Sequence, residues 1–398
     1  LQNSEEGRRK NMTYGKNRIL RYAFLFMLAV IGISLLSYSV VFADESGKIY
    51  AGSANPGVVY EYKGGTTWTA ISPTLGRVVL SITEYNGKLY AGTLSYSNTG
   101  QVYRHDGGTT WTLIGTMDYE VASLEVSGDR LYAGTVGGYR GLYRYEDNTN
   151  TWSRLQQYLY NGVRAMHAWD KDNMIYLGDY NSDIVWRFNP ATNYAQRVLA
   201  NGRSCIWDLE PYMDKIYASA YYGMLYYSSN GINWYAMYVG GGNIWAMKTY
   251  ADKLFYGSYL TLRSYNGTSH ATAATIPTDH YYNNILSLGT DDKDLYIGVG
   301  GEAGYYRFTS GVGKVYKYNG STVQAVSGQM GTAVQVLFVR ANQPPIADAG
   351  ADQTIECASA NGTSITLDGS GSSDPDNNPL TYSWTWNGGS ASGVSPPV

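Results

Sequence analysis

The sequence predicts an all-β protein whose main body is a seven-bladed β-propeller. One phrase recurs between residues 48 and 326: an apolar pair, an aromatic and a small residue, then a variable loop, an aromatic-rich strand, a tight turn and another strand. KIYAGSANPGVVYEYKGGTTWTAI and RLYAGTVGGYRGLYRYEDNTNTWSRL are two copies. The aromatic anchors Tyr50, Tyr90, Tyr132, Tyr176, Tyr217, Phe255 and Tyr296 recur roughly every 40 residues, the period of a propeller blade. Composition agrees: 40 Tyr, 10 Trp and 47 Gly in 398 residues, with only 15% charged side chains, suit half-buried strands joined by tight turns.

Residues 1–43 stand apart. Arg8, Arg9, Lys10, Lys16, Arg18 and Arg21 precede an apolar run over 22–36, and the stretch closes on Val41-Phe42-Ala43. A basic start, an apolar middle and a small-residue exit predict a secretory signal peptide, with an uncleaved N-terminal anchor as the alternative. Met12 is the expected start of translation. A secreted or cell-surface location follows, with no membrane insertion beyond this segment. Beyond residue 43 the chain keeps 23 basic and 30 acidic side chains, a net charge of −7. That balance, without a basic stripe, excludes nucleic acid and anionic membranes as natural partners. Cys205 and Cys357 fall in different expected domains and are read as unpaired.

The propeller is assigned to residues 44–341. Each repeat divides into four strands, and the first hairpin turns on Asn, Gly or Asp: Asn86-Gly87, Gly128-Asp129, Lys171-Asp172, Asp252-Lys253 and Asp292-Lys293. These residues accept the positive φ of tight hairpins. Inner strands are expected near 78–84, 121–127, 163–170, 205–210, 243–250 and 285–290. The first repeat lacks one. Residues 333–340, AVQVLFVR, are expected to return beside Tyr50 and supply it, which removes exposed sheet edges and predicts a monomeric propeller.

The spacing of an aromatic and a following Trp (Tyr145 to Trp152, Tyr227 to Trp234, Tyr62 to Trp68, Tyr103 to Trp111) resembles kelch-type repeats, although the kelch glycine doublet is absent from the second strand. Asp106-Gly107-Gly108-Thr109-Thr110-Trp111 resembles the Asp-box of sialidase-like propellers, with Lys63 replacing the Asp one blade earlier. The sialidase likeness would recruit Arg77, Arg164 and Arg203, but the family's Arg-Ile-Pro motif is missing. Residues 342–398 change character at Pro344-Pro345. Leu367-Asp368-Gly369-Ser370, Asp374-Pro375-Asp376 and Tyr382-Ser383-Trp384 resemble a PKD domain. That likeness implies an immunoglobulin-like β-sandwich, here incomplete, because about 100 residues are needed for its strands.

In a propeller the loops after the second and fourth strands share one face, and here they are long. They carry Tyr119, Tyr139, Arg140, Tyr160, Tyr180, Arg203, Tyr222, Tyr259, His280 and Tyr281, expected to bind an extracellular glycan or a protein partner. Rings suit sugar faces and polar groups suit hydroxyls. Asp118 and Glu120, or Asp179 and Asp183, are the candidate acid–base carboxylates if the protein is instead a glycoside hydrolase or lyase. His167, Asp208, Glu125, Glu210 and Lys248 lie on inner strands and are read as polar groups around channel waters. No cofactor is expected, apart from calcium at Asp374 and Asp376, whose oxygen ligands suit that ion. Taken together, the sequence predicts a non-catalytic binding or adhesion protein.

Overall fold

A computed structural model describes residues 47–397 apart from 138–139, 157–158, 160–161, 202–204, 278–279, 281–282, 302–310, 342, 352, 354–363, 376–378 and 387–388, together with the backbone of Tyr38–Phe42. The chain divides into two compact units, Asp44–Pro344 and Leu1–Ala43 with Pro345–Val398. Among the described residues no helix is long and apolar enough to cross a membrane.

The Asp44–Pro344 unit is a β-propeller of four-stranded antiparallel blades. Gly76–Tyr85, Lys88–Leu94, Gly100–Gly107 and Thr110–Met117 form one; Val121–Ser127, Arg130–Thr135, Gly141–Glu146 and Thr151–Gln156 form the next. The pattern continues with inner strands Val163–Trp169, Asp208–Tyr212, Met247–Tyr250 and Asn283–Thr290. Ala333–Arg340 pairs antiparallel with Lys48–Gly57, Tyr50 opposite Phe338, and Val59–Tyr62 and Trp68–Ala70 complete that blade. Two ends of the unit thus share one sheet. Arg340 tightens the junction by donating to both carboxylate oxygens of Glu84, at 2.8 and 2.7 Å.

Blades pack because the second strand carries a small residue where its neighbour arrives. A Cβ on Gly134 would lie 2.7 Å from the Val163 Cγ1 of the next blade, and one on Gly92 would lie 2.7 Å from that of Val121. Gly178 meets Ile206 and Gly257 meets Ile285 in the same way. The Ala-Gly, Leu-Gly and Tyr-Gly pairs of the repeat therefore record close approach between sheets. The apolar clusters lie between blades: Tyr90, Val102 and Ile114 pack on Leu124, Leu131 and Tyr145, and Tyr132 and Leu142 on Met166, Ile175 and Phe188.

Polar ends of several aromatics are satisfied across the same seams. Tyr85, Tyr212 and Tyr250, each closing an inner strand, donate through their hydroxyls to the carbonyls of Asp129, Asp252 and Lys293 in the next blade's hairpin, at 2.9, 2.9 and 3.0 Å. On the outer strands the indoles of Trp68 and Trp111 donate to the carbonyls of Val326 and Ile71 at 2.9 and 2.8 Å. These Tyr and Trp side chains are fastenings between blades, with aromatic body buried and polar tip bonded, whereas the Tyr132 hydroxyl and the indole N–H groups of Trp152, Trp186 and Trp234 are buried without a hydrogen-bond partner.

The second unit is described by itself. Thr381–Trp386 pairs with Gly389–Ser392 on one side and Tyr38–Phe42 on the other. Tyr38–Phe42 is the stretch expected to end the leader. Trp384 is wholly buried and donates its indole N–H to the Gly393 carbonyl at 2.8 Å. Single bridges join Ile346 to Ser373 and Thr366 to Pro397.

Candidate functional site

The site is set up by a defect in the inner strands. Register slips by one residue in the first half of the Gly76–Tyr85, Val121–Ser127, Val163–Trp169, Asn283–Thr290 and Ala333–Arg340 strands. The unpaired residues are Leu80, Ala122, Arg164, Leu286 and Gln335. In the remaining blades the irregularity is larger: regular pairing starts only at Asp208 and Met247, later than the 205 and 243 expected from sequence. Trp207 and Trp245 occupy the corresponding positions, each following the Ile that packs on the preceding blade. A bulge bends the strand and re-aims its extra side chain, here toward the channel axis.

The result is an apolar and aromatic mouth. Leu80, Trp207, Trp245 and Leu286 form one buried cluster although they come from different blades, with Tyr180 and Tyr221 packed against it. The rings of Trp207 and Trp245 lie 4.0 Å apart, Tyr221 lies 5.3 Å from Trp207 and 5.8 Å from Trp245, and Tyr180 lies 6.4 Å from Trp207. The Arg164 guanidinium sits 5.0 Å from the Trp207 ring centroid, a cation–π contact. Cys205, free and buried, lies beneath. Burial pushes its thiol well above the ordinary value; Arg164 opposes this, and Asp179, Asp183 and Glu120 add to it. A thiol held protonated there is a packing group, not a nucleophile.

The expected site residues separate into four groups. Tyr119, Tyr222 and Tyr259 project from the loops, 44%, 73% and 59% exposed. Tyr222 and Tyr259 hold left-handed backbone, φ 57° and 52°, and Asn243 braces the first by accepting its N–H at 3.2 Å. Tyr180 faces the mouth through Trp207, as above. Arg140 accepts an N–H of Arg154 through its carbonyl, and the His280 carbonyl accepts from Asn283, both contacts tying a loop to a strand. Tyr139, Tyr160, Arg203, Tyr281 and Asp376 lie outside the described residues.

The carboxylates do not form the exposed pairs that sequence neighbours suggest. Asp118 is exposed, whereas Glu120, two residues on, is 3% exposed. Asp179 and Asp183 are 1% and 2% exposed, and one oxygen of each accepts a hydrogen bond. Asp179 accepts the Asn181 N–H at 2.8 Å, and Asp183 accepts the Tyr226 hydroxyl at 3.1 Å. Asp106 of the Asp-box-like run is likewise fully engaged: Arg104 and Lys88 donate to it at 2.9 and 2.8 Å and Thr112 at 2.6 Å, which holds its carboxyl far below the usual range. It closes a hairpin on the turn face, beside a cleft of about 310 Å³ lined by Lys48, Glu84, Lys88, His105 and Arg340.

Deeper in the channel the inner-strand polar residues reach the next blade. Glu125 accepts the Ala168 N–H at 2.8 Å, Asp208 the Met247 N–H at 2.7 Å and Glu210 the Thr249 N–H at 2.8 Å, with Lys248 3.2 Å from Glu210. Inner strands are edge strands toward the axis, so these carboxylates satisfy otherwise open backbone donors. Among the described residues no three His, Cys, Asp or Glu side chains gather as a metal site. Asp374 is buried in the second unit.

Sequence inspection missed Trp207 and Trp245. The signal was present: one variable position, following Val or Ile, in every inner strand. It reads as noise until the bulge is seen.

No family model matches the chain, and no characterised protein matches its sequence. Among solved structures, the WD40 β-propeller domain of Doa1 is similar with a TM-score of 0.50 at 11% identity, covering 66% of this chain and 93% of that one. A chain of YCF48 bound to D1 peptide gives 0.47 at 13% identity over 67% and 93%, and a chain of a nidogen/laminin complex 0.44 at 9% over 55% and 88%. At these identities the likeness to the Doa1 domain shows the propeller fold and nothing finer.

Proposed function

We propose that the chain is a non-catalytic binding protein, secreted or displayed at the cell surface, whose seven-bladed propeller recognises an extracellular glycan or protein partner on its loop face. The observation that carries this reading is the contrast on that face. Tyr119, Tyr222 and Tyr259 stand exposed around an aromatic mouth, while the buried Asp179 and Asp183 accept hydrogen bonds from Asn181 and Tyr226. Exposed tyrosines offer large contact area with a polar tip, the usual currency of recognition surfaces. The kelch-like and Asp-box-like features serve blade packing in this reading, and the C-terminal PKD-like module acts as a spacer. Calcium would be held there by Asp374 and Asp376, an assignment testable by the shift in melting temperature on adding chelator.

The test is binding set against turnover. The full chain is presented to arrayed glycans and to an extracellular protein panel, and any hit is assayed for product release. Stable binding, lost in Tyr222→Ala with Tyr259→Ala and unaffected by Asp179→Asn, is the expected outcome. Product release abolished by Asp118→Asn or Asp179→Asn would replace it with a glycoside hydrolase or lyase.

A further inference from the structure

Seams between blades are filled by a recurring pair of rings, and one seam lacks it. In the third strand of most blades, the residue after the one paired with the anchor is aromatic: Tyr62, Tyr145, Phe188, Tyr265 and Tyr318. Each packs on the anchor of the preceding blade. Tyr62 lies 5.7 Å from Tyr296, Tyr145 6.3 Å from Tyr90, Phe188 6.0 Å from Tyr132, Tyr265 6.3 Å from Tyr217 and Tyr318 5.8 Å from Phe255. Where Ser228 takes this position, Trp234 covers Tyr176 instead, at 6.1 Å. His105 takes it in the blade that follows the closing one, and its ring lies 4.9 Å from Trp111 of its own blade. A second filler changes at the same seam. Arg340 sits opposite Lys48, the place held in other blades by Tyr85, Tyr212 and Tyr250, whose hydroxyls bond the next hairpin. The seam holds the cleft of about 310 Å³, which His105, Arg340 and the anchor Tyr50 all line. Folded interiors are otherwise close-packed, so a recess of this size between two blades is a distinct feature.

Charge restricts what could enter. Every carboxylate of the wall is matched: Glu61 by Lys63 at 2.7 Å, Glu84 by Arg340 at 2.8 and 2.7 Å, and Asp106 by Lys88 and Arg104 at 2.8 and 2.9 Å. Lys48 is left over. It is half-buried in the wall, and its ammonium has no ion pair or hydrogen bond among the described residues. A lysine without a partner is ordinary on open surface, as at Lys253. Inside a recess whose other charges are matched, it leaves a positive potential that draws an anion.

The donors and walls narrow the class. Glu84 occupies the Arg340 fork and Asp106 the Arg104 fork, so the bidentate donors that suit phosphate are already used. One ammonium matches one carboxylate. Tyr50, Ile71 and Leu89 supply an apolar wall, and the volume is at the lower end of ligand pockets, about 300 Å³.

We propose that the cleft between the closing blade and the next binds a small organic carboxylate, its charge on the Lys48 ammonium and its carbon body against Tyr50, Ile71 and Leu89. The cleft is on the turn face, so this site stands independently of the loop face.

The full chain is titrated calorimetrically with benzoate, phenylacetate and hexanoate, with benzyl alcohol as the uncharged counterpart and with inorganic phosphate. Lys48→Met keeps the stem and removes the charge. His105→Tyr installs the ring that other blades carry, fills the cleft, and carries the test if Lys48→Met fails to fold. The expected result is binding of at least one carboxylate and of neither benzyl alcohol nor phosphate. Lys48→Met should weaken it about tenfold, the loss of one charge-assisted hydrogen bond; His105→Tyr should abolish it, and Lys253→Met should leave it unchanged. No binding by any of the three carboxylates, or binding indifferent to both cleft substitutions, would overturn the site. Benzyl alcohol bound as tightly as benzoate, or phosphate bound in place of the carboxylates, would overturn the ligand class.

Discussion

Asp208 shows how much one residue's setting changes its chemistry. It is half-buried at the channel wall, accepts the N–H groups of Leu209 and Met247 at 2.8 and 2.7 Å, and shares that wall with Glu210, Lys248 and Glu125. Burial raises its carboxyl, the Met247 N–H opposes, and the Glu210 charge raises it further, to about 7 from an ordinary 3.8. Lys248 stays above the usual lysine value: burial works against its charge, but Glu210 outweighs burial. Across the window from about 4 to 7 the folded protein therefore keeps a proton that the unfolded chain has lost, so folding stability falls as pH rises through it. Thermal melts between pH 5 and pH 8 should show this loss in the wild type, at about 1–3 kcal/mol given partial solvent access, and a flatter profile in Asp208→Asn. An equal slope in both proteins would assign the pH dependence elsewhere.

At the scale of the element, the hairpins and the glycines carry separable costs. Asn86 and Gly87 have φ of 49° and 72°, the left-handed pair that a two-residue hairpin requires. The Tyr250–Lys253 turn uses the same geometry with Ala251 and Asp252, φ 45° and 57°. An alanine there pays the Cβ penalty of left-handed backbone, about 1–2 kcal/mol. Ala251→Asn should accordingly raise stability by about 0.5–1 kcal/mol, read as a higher denaturant midpoint with unchanged slope. The opposite sign is expected at Gly134, where a Cβ would stand 2.7 Å from Val163 Cγ1 and 2.8 Å from its carbonyl oxygen. Gly134→Ala should cost about 1–3 kcal/mol by forcing two blades apart; a neutral result would mean that the seam yields easily.

For the whole molecule, the joint between Lys48–Gly57 and Ala333–Arg340 decides whether the propeller holds as a unit. Without the late strand, the first blade loses its inner member and the Arg340–Glu84 pair, and an open sheet edge faces solvent. A chain ending at Thr332 should lose its cooperative thermal transition and its near-ultraviolet dichroism, while Arg340→Ala, which removes only the ion pair, should lower the midpoint and keep cooperativity. A truncated chain that still melts sharply would show that the joint is dispensable.

Much of this could be read from the chain. Strand periodicity, the Asn, Gly and Asp hairpins and the anchor aromatics such as Tyr132 and Tyr176 are local patterns, because a blade is folded from contiguous residues and repeats its own chemistry. The exposed loop tyrosines were legible for the same reason. What neighbouring blades do to one another was not. The burial of Asp179 and Asp183, the clasping of Met247 and Thr249 by carboxylates from the preceding blade, and the meeting of Leu80, Trp207, Trp245 and Leu286 at the axis all join residues tens to hundreds of positions apart. Only closure of the sheets around a common channel brings them together, since side-chain contact depends on distance in space while sequence patterns report distance along the chain.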